Sequence, residues 1–530
     1  METSSALIYI VGAGPGDPEL LTVGAERILR QADFVVLDYL VSDEIREIIS
    51  EKAEQVLLKH GVQRQNLEDI FQLLAEKARS GKTVVHLKGG DPGVFARLAE
   101  EITFFRKEKI DFRIFPGISS ASAAAAYVEC PLTDAEEASA VTFFTGKRRR
   151  KIGENGDRQN MGESFEETLE EENPRILAGS CVVDGSRTLV IYMGVKTVKV
   201  WTSELLQEGM SPEIPAVIIQ NVSRGNQKTW RGTLGTLVEI VEEHGIRPPA
   251  IFILGNAVKN TPERNYFESR PLFGKTVLVT RAAAQTHEVA EKLQKLGAQV
   301  RIQPVISISP AKNPDPLRMA IHSLENFDWI IFSSTNGVRF FMEELLHLGY
   351  DLRKFGQTKI AVMGAGTAAA VEEFFLKPDR MPEVYNAEEM AKMFLKDMNE
   401  QEYLRPPRFL IARASRGREV LAESLIAAGG NVTQVVTYES ENVTAESPDF
   451  NMEIREEMEA GKINWVMVTS SAIAESAVKL FGEALRKTKL VSISSLTSKM
   501  LEKYGFSPAA EAKEATIDGV IRALCENKVE

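Results

Sequence analysis

The sequence predicts an α/β chain with largely parallel sheets, and two observations carry this prediction. Short apolar strands alternate with helical stretches along all 530 residues, which is the pattern of repeated strand–helix–strand units. Several of these strands end in loops rich in Gly, Ser or Thr, where α/β sheets present their binding residues. The strands predicted in the first half include Phe34–Leu37, Val141–Phe144, Leu189–Tyr192, Ala216–Ile219 and Ala250–Leu254.

Length and composition limit the classes of protein to which this chain can belong. A chain of 530 residues predicts roughly three or four folded domains. A net charge of −12 disfavours nucleic-acid binding, and no apolar stretch approaches the roughly 20 residues of a membrane span. The three cysteines form no C-x-x-C pair and the six histidines show no ligand spacing. We therefore expect a cytoplasmic protein without a metal site and without nucleic-acid or membrane partners.

A change of composition at residues 263–272 predicts a linker between two halves, 1–262 and 273–530. Polar and Pro-containing sequence there separates the apolar strand that ends at Leu254 from the one that follows Gly274. Within the first half, the Glu-rich segment from about Lys147 to Ser186 predicts a mobile loop.

Three loops in the first 120 residues follow apolar strands and are rich in Gly or Ser, at Val11–Pro18, Leu87–Pro92 and Phe115–Ser120. Glycine lets backbone N–H groups approach a ligand closely. The first loop is not a dinucleotide fingerprint, because Pro15 and Pro18 stiffen it and helical periodicity resumes only near Glu19.

These loops, read as VGAGPGDPELLT, LKGGDP and FPGISSASAAAAY and followed by Tyr192-Met193-Gly194-Val195, resemble the tetrapyrrole methylase family. The resemblance to uroporphyrinogen-III C-methyltransferases covers nearly all of residues 6–260. It implies two lobes, about 1–135 and 136–262, a homodimer, and methylation of uroporphyrinogen III at C2 and C7 to precorrin-2. It also implies that S-adenosylmethionine lies between the lobes, in contact with Pro15, Gly89, Gly90, Asp91, Val94, Ser119, Ser120, Met193 and Val222.

The same family motifs suggest the catalytic residues of the first half. Methylation of a pyrrole carbon must be followed by loss of a proton, which calls for a base at the cleft. Asp38 ends a predicted strand; an isolated aspartate there is more often a turn residue, but the surrounding motif favours catalysis. Arg97 matches the family's substrate arginine and Glu100 its acidic partner, although the two could equally form a surface i, i+3 pair. Lys59 is the nearest candidate for the family's proton-donor lysine, one position out of register.

The basic run at residues 147–151 offers cations for a substrate that carries eight carboxylates. Lys147 and Arg148 could bind these groups through charge-assisted hydrogen bonds. A solvated basic loop is an equally good interpretation.

The second half, about 273–530, resembles the uroporphyrinogen-III synthase family through Val279-Thr280-Arg281, Phe327–Val338, Ala361–Thr367 and Trp465–Ala472. The resemblance implies two parallel-sheet lobes, about 273–300 plus 442–530 and about 310–434, joined by extended linkers near 300–309 and 435–440. It implies a cofactor-free cyclisation and dehydration of hydroxymethylbilane. Tyr438 would be the acid, or a packed strand tyrosine. The residues expected to bind carboxylates are Arg281, Ser334, Asn336, Arg413, Thr469 and Ser470.

Taken together, the sequence predicts a two-lobed tetrapyrrole methylase followed by a two-lobed synthase, with tetrapyrrole substrates for both. The product of the second half would be the substrate of the first. Two alternatives stay open. The first half could methylate a later precorrin, or the second half could be a non-catalytic ligand-binding module, because its Ser494–Thr497 turn departs from the family pattern.

Overall fold

The computed structural model describes residues 6–59, 66–146, 186–281, 286–400, 405–417, 419–447 and 450–527. The chain divides into two compact units, Met1–Thr276 with Leu293–Gln299, and Val277–Lys292 with Val300–Glu530. The segment predicted to be a loop between Lys147 and Ser186 lies outside the described residues except for Ser186. No helix in the described part of the chain is long and apolar enough to cross a membrane.

The first part of the chain contains, in order, β1 (Leu7–Gly12), α1 (Val23–Gln31), β2 (Phe34–Leu37), α2 (Asp43–Arg46), β3 (Glu54–Leu57), α3 (Leu67–Arg79), β4 (Val84–Lys88), α4 (Leu98–Lys107), β5 (Asp111–Phe115), α5 (Ser120–Tyr127), β6 (Ala140–Thr145), β7 (Arg187–Tyr192), α6 (Val198–Gln207), β8 (Pro215–Gln220), β9 (Lys228–Thr233), α7 (Leu237–Glu243) and β10 (Ala250–Leu254).

The second part contains β11 (Thr276–Val279), α8 (His287–Lys295), β12 (Gln299–Ile302), β13 (Ile306–Pro310), α9 (Asp315–His322), β14 (Trp329–Phe332), α10 (Thr335–His347), β15 (Lys359–Val362), α11 (Ala365–Glu372), α12 (Ala387–Glu400), β16 (Arg408–Ala414), α13 (Val420–Ala427), β17 (Asn431–Asn442), α14 (Met452–Glu459), β18 (Trp465–Val468), α15 (Ser471–Phe481), β19 (Lys489–Ser492), α16 (Ser495–Lys503), β20 (Ala510–Glu511) and α17 (Ile517–Glu526).

The first sheet is parallel throughout, in the order β3-β2-β4-β1-β5. The central strand β1 pairs with β4 on one side and with β5 on the other. Gly12 at the end of β1 lies opposite Lys88, and Val11 lies opposite Phe115. Because parallel strands end at the same edge, the loops that follow β1, β4 and β5 leave the sheet side by side.

The second sheet is the exception to the expectation of largely parallel sheets. Its order is β6-β7-β10-β8-β9, and only β6 and β7 pair in parallel. The strands connected by helices, β7 with β8 and β9 with β10, do run in the same direction. They are not neighbours, however, because β10 lies between β7 and β8 and is antiparallel to both. Helix–strand alternation predicts the direction of a strand but not the strand beside it.

The second unit contains two further sheets, β12-β11-β18-β19-β20 and β13-β17-β16-β14-β15. The described strand pairs are parallel except for β13 with β17. The last five residues of β17 pair antiparallel with β13, with Tyr438 opposite Pro310. These two extended strands contain residues of both segments that the sequence predicted as linkers.

The core explains why the central strands are uniformly apolar. All four residues of β14 are buried. Ile330 and Phe332 pack with Phe341 on one side of the sheet, and Trp329 packs with Phe394 on the other. A strand covered on both faces has no polar side, so its sequence does not alternate. Each buried large side chain contributes about 1.5–3 kcal/mol.

Candidate active sites

The three predicted loops of the first unit meet at glycine backbones. Gly14 and Gly90 exchange two backbone hydrogen bonds, of 3.1 and 2.7 Å, and both have positive φ. A Cβ atom on Gly12 would lie 2.5 Å from the Gly117 nitrogen and 2.8 Å from the Gly90 oxygen. Only glycine lets these loops approach so closely.

Asp91 fixes the second loop against the third. Its Oδ2 accepts a hydrogen bond from the Gly117 nitrogen at 3.0 Å, and its Oδ1 accepts one from the Gly93 nitrogen at 2.7 Å. The carboxylate therefore has a structural role that the resemblance alone did not indicate.

A residue of the second sheet contacts these loops. The Tyr192 hydroxyl lies 2.6 Å from Ser119 Oγ, so Ser119 precedes α5 without capping it with its side chain. Met193 follows at positive φ and is partly exposed, and Val222 is buried. Val94 and Val222 also pack in one apolar cluster with Tyr192. The residues predicted to bind the cofactor therefore lie on loops of the first sheet, some of which contact the second, or follow strands of the second sheet. On the first sheet they are Pro15, Gly89, Gly90, Asp91, Val94, Ser119 and Ser120, and beside the second sheet they are Met193 and Val222.

The predicted catalytic residues lie beyond the carboxyl ends of neighbouring strands. Asp38 follows β2 and is partly buried, and its backbone nitrogen donates to the Leu87 oxygen at 2.9 Å. Lys59 follows β3 and is exposed. Arg97 and Glu100 form an ion pair of 2.7 Å, with each side chain about half exposed to solvent. The surface pair considered from the sequence therefore does form, and it lies at the start of α4.

A buried group of charged residues lies behind the second loop. His86 and Lys88 are alternate residues of β4, so they face the same side of the sheet. Glu101 of α4 accepts from both, at 2.7 Å from His86 Nδ1 and 2.8 Å from Lys88 Nζ. Burial alone would raise the pKa of Glu101, but His86 and Lys88 outweigh burial and hold it below the usual 4.5.

Lys147 and Arg148, predicted to bind substrate, lie outside the described residues. Among the described residues, no group of three or more His, Cys, Asp or Glu side chains could hold a metal ion.

The second unit contains a cavity of about 600 Å³ between residues that follow strands of both its sheets. Five of the predicted carboxylate-binding residues lie on its wall: Arg281, Ser334, Asn336, Thr469 and Ser470. Burial lowers the pKa of Arg281, and nearby Glu288 opposes that shift. A cation at the wall of a cavity suits a polycarboxylate substrate.

The sixth residue predicted to bind carboxylates, Arg413, does not line this cavity. Its guanidinium donates to Gln434 at 2.7 Å, to Glu419 at 3.1 Å and to the Gly417 oxygen at 3.1 Å. These partners come from other segments, and the strand pattern around Arg413 gave no sign of them.

Four helices of the second unit, α10, α11, α15 and α17, begin at the cavity wall. The side chains of Ser334, Ser470 and Thr516 each cap one of them by accepting from a first-turn amide at 3.0–3.1 Å. Helix α11 begins after Gly364 and has no side-chain cap. The start of α11 after Gly364 could therefore offer its first backbone amides to an anion, although the Thr367 amide already donates to the Gly364 oxygen at 3.0 Å.

Tyr438 lies on the same wall with its hydroxyl directed to Ser334. The two side-chain oxygens are 3.1 Å apart, and the ring stacks on Phe340 with centroids 5.7 Å apart. Burial raises the pKa of Tyr438, so the phenol is protonated at neutral pH and can donate its proton.

An irregularity in strand pairing directs Tyr438 to this position. Arg413 of β16 lies opposite Val436 of β17, but the next residue, Ala414, lies opposite Tyr438. Thr437 is therefore an extra residue, and its hydroxyl bonds to the Arg413 oxygen at 3.1 Å. Such a bulge changes the direction of the side chains that follow it.

Comparison with known proteins assigns each half to a family. Residues 7–238 match the Tetrapyrrole (Corrin/Porphyrin) Methylases, and residues 287–522 match Uroporphyrinogen-III synthase HemD. The porphyrin biosynthesis protein HemD of Ruminiclostridium josui is 30% identical over 525 residues, which is 98% of this chain and 97% of that protein. The uroporphyrinogen-III C-methyltransferase of Bacillus subtilis is 31% identical, over 67% of this chain and 69% of that protein. The uroporphyrin-III C-methyl transferase of Thermus thermophilus, solved with S-adenyl homocysteine, is 32% identical over 48% of this chain and 98% of that chain, with a TM-score of 0.38.

Fold and sites therefore define a chain of two enzymes, each built on α/β sheets. It belongs to the tetrapyrrole methylase family in its first half and to the uroporphyrinogen-III synthase family in its second.

We predict that Glu101→Gln destabilises the first sheet by about 3–5 kcal/mol, because it leaves the Lys88 ammonium buried without its counter-charge. Hydrogen exchange of the β4 amides would measure this separately from the second unit. Because the pKa of Glu101 is lowered on folding, its contribution is present above about pH 4.5 and is lost as the pH falls below that value. The difference in stability between the wild type and the Glu101→Gln variant should therefore shrink at acid pH.

The matched control is Glu100→Gln, one residue away in the same helix. Its ion pair with Arg97 is half exposed to solvent, so we expect Glu100→Gln to destabilise the first sheet by at most about 1 kcal/mol. Equal effects at the two positions would show that the buried group does not stabilise the sheet.

Proposed function

We propose that this chain catalyses two consecutive reactions on tetrapyrroles. The second half closes hydroxymethylbilane to uroporphyrinogen III with loss of water. The first half transfers methyl groups from S-adenosylmethionine to C2 and C7 of that product, giving precorrin-2. The observation that carries this proposal is the presence, in one chain, of two families whose product and substrate coincide.

The domain limits, assembly and location in the cell belong to the same proposal. We assign residues 1–262 to the methylase and 273–530 to the synthase, with the lobes given above. The methylase half would form a homodimer, the synthase half would need no cofactor, and the enzyme would work in the cytoplasm. The scattered cysteines support a reducing compartment.

The cleft of the first unit suits S-adenosylmethionine. A side chain on Gly90 would project towards the backbone nitrogen of Ser120, 4.0 Å away, so its absence leaves room beside the start of α5. Backbone amides of the three loops and of α5 can hold the polar parts of the cofactor. When bound, the cofactor supplies an electrophilic methyl group. The loops would fix its orientation relative to the ring.

Three residues of the first unit would act on the substrate. Asp38, at the carboxyl end of β2, would accept the proton that the ring carbon loses after methylation. Arg97 is held by Glu100 at the start of α4 and remains half exposed, so its guanidinium can bind a carboxylate of the substrate. Lys59 would lie on the same edge of the sheet as a proton donor or a further cation.

The cavity of the second unit would fold the linear substrate so that its ends meet. Amides at the start of α11 and the Arg281 guanidinium would bind carboxylates. The protonated Tyr438 would donate to the hydroxyl that leaves, so that hydroxide departs as water. Ser334 would hold the phenol in position.

Product analysis after supplying hydroxymethylbilane, with and without S-adenosylmethionine, tests both assignments. We expect type III uroporphyrinogen without the methyl donor and a dimethylated product with it. Uncatalysed closure gives the type I isomer, so type I alone would show that the second half is a binding module. Type III that stays unmethylated would contradict the first assignment and favour a methylase for a later precorrin.

We predict that Asp38→Asn lowers methyl transfer roughly tenfold to a thousandfold, because an amide cannot accept the proton. Calorimetry should find the affinity for S-adenosylmethionine unchanged, since Asp38 lies outside the three loops. Asp69→Asn, on the exposed side of α3, is the matched control and should leave methylation unchanged. Normal turnover of the Asp38 variant would remove this role.

We predict that Tyr438→Phe lowers the fraction of type III product, because the variant loses the proton donor while keeping the ring that stacks on Phe340. Chromatography of the two isomers measures this directly. Tyr350→Phe is the control, because the Tyr350 hydroxyl contacts His322 and is not on the cavity wall. If the Tyr438 variant still makes only type III, this tyrosine is structural.

A further inference from the structure

Residues 262–274, here called the junction segment, are packed onto the first unit. The sequence predicted a linker here, and the methylase family match ends at residue 238. Nevertheless, Asn265 and Phe267 are 0% and 2% exposed. Two hydrogen bonds fix the ends of the segment. The Arg231 guanidinium donates to the Pro262 backbone oxygen, and the Gly274 nitrogen donates to the Gly225 oxygen at 3.1 Å.

A chain of hydrogen bonds runs from the junction segment to the loop that carries Val222. Glu268 Oε1 accepts from Gln227 Nε2 at 3.0 Å, and it also accepts from the Thr229 hydroxyl. The other end of the same amide, Gln227 Oε1, accepts from the Ser223 nitrogen at 2.9 Å. Gln227 is buried, so it depends on Glu268 to satisfy its amide group.

An aromatic contact connects the junction segment to the first glycine-rich loop. The Phe267 ring lies 4.3 Å from the Tyr127 ring, and the Tyr127 hydroxyl donates to Asp17 Oδ2 at 2.6 Å. The Asp17 nitrogen in turn donates to Ser223 Oγ at 3.1 Å. The hydrogen-bond chain through Gln227 and the aromatic contact through Tyr127 therefore both lead to the place where Asp17 contacts Ser223.

The loop that carries Val222 has a strained backbone that surrounding contacts must hold in place. Asn221 and Ser223, on either side of Val222, have φ values of +54° and +65°. This left-handed conformation costs about 1–2 kcal/mol for a residue with a side chain, and it persists only where surrounding contacts hold it. The hydrogen bond from the Ser223 nitrogen to Gln227 is one such contact, and Glu268 holds Gln227.

We propose that the junction segment is a brace for the cofactor site, with Glu268 as its main positioning residue. The inference rests on the proposed binding of S-adenosylmethionine in this cleft. Without the brace, a smaller fraction of the free protein would hold both loops in the binding arrangement, and the apparent affinity would fall by that fraction. Cofactor binding itself restores the arrangement, so turnover at saturating cofactor would not change.

The test uses calorimetry of S-adenosylmethionine binding to the full chain. We expect Glu268→Ala to raise Kd about tenfold, the size expected when a buried amide loses a charged partner. Glu268→Gln should stay within about twofold of wild type, because its amide oxygen can accept the same two hydrogen bonds. KM for the cofactor should follow Kd, while kcat for methylation and the synthase reaction stay unchanged. A residue that only stabilised the fold would not separate KM from kcat.

Three further variants serve as controls for misfolding and indirect effects. Tyr127→Phe removes only the oxygen that binds Asp17 and should also weaken binding, by about threefold to tenfold. Glu263→Ala, exposed in the same segment, should bind like wild type. Gly90→Val, which places a β-branched side chain in the cleft at positive φ, gives the non-binding reference.

The outcomes separate the brace from the proposed function. If the wild-type chain does not bind S-adenosylmethionine, both fail. If wild type binds and both Glu268→Ala and Tyr127→Phe bind equally well, the brace alone is overturned. A Glu268→Gln variant as weak as Glu268→Ala would also overturn it, because the hydrogen-bond chain would then not be the cause.

Discussion

The close contact among the backbones of Gly12, Gly90 and Gly117 is the constraint on which the first unit depends. Three parallel strands end at the same edge of the sheet, so the loops that follow them must pack closely together. A Cβ atom on Gly12 would overlap the Gly117 backbone, and the loops would have to separate. The Asp91 carboxylate locks the second loop to the third, while the Lys88–Glu101 pair anchors the strand from which the second loop leaves. The cleft is thus built mainly from backbone and held from behind by buried charges.

The two proposed sites are built in the same way, from backbone amides at the ends of strands, although the whole chain has a net charge of −12. The first unit presents loop amides and the uncapped start of α5, and the second presents the first turns of four helices. Each helix start carries a partial positive charge from its amide dipoles. Backbone dipoles and a few cations such as Arg281 therefore place positive charge at the proposed sites of a chain whose net charge is negative. Net charge is a property of the whole chain and does not describe the charge at these sheet edges.

The sequence predicted the limits of individual strands well. It did not predict which strands lie beside each other or which side chains form hydrogen bonds. Strand β2 has the predicted limits Phe34–Leu37, because a buried strand between turn residues has a clear pattern. The antiparallel neighbours in the second sheet were missed, since nothing in the residues of β10 specifies which strands it joins. Glu101 was missed for the same reason, although two polar residues at alternate positions of the apolar β4 were a signal. Arg413 was expected to bind a carboxylate of the substrate, and its hydrogen bonds to Glu419 and Gln434 were not foreseen.

The junction segment is packed although its composition is typical of a linker. Pro and polar residues at 261–271 correctly indicate that the backbone leaves regular strands. They do not indicate that packing stops there, because Phe267 is buried by contacts that depend on Tyr127. The first strand of the synthase half, β11, begins at Thr276, only two residues after the Gly274 contact. The packed part of the first unit therefore extends through the junction segment, well beyond residue 238, where the methylase family match ends.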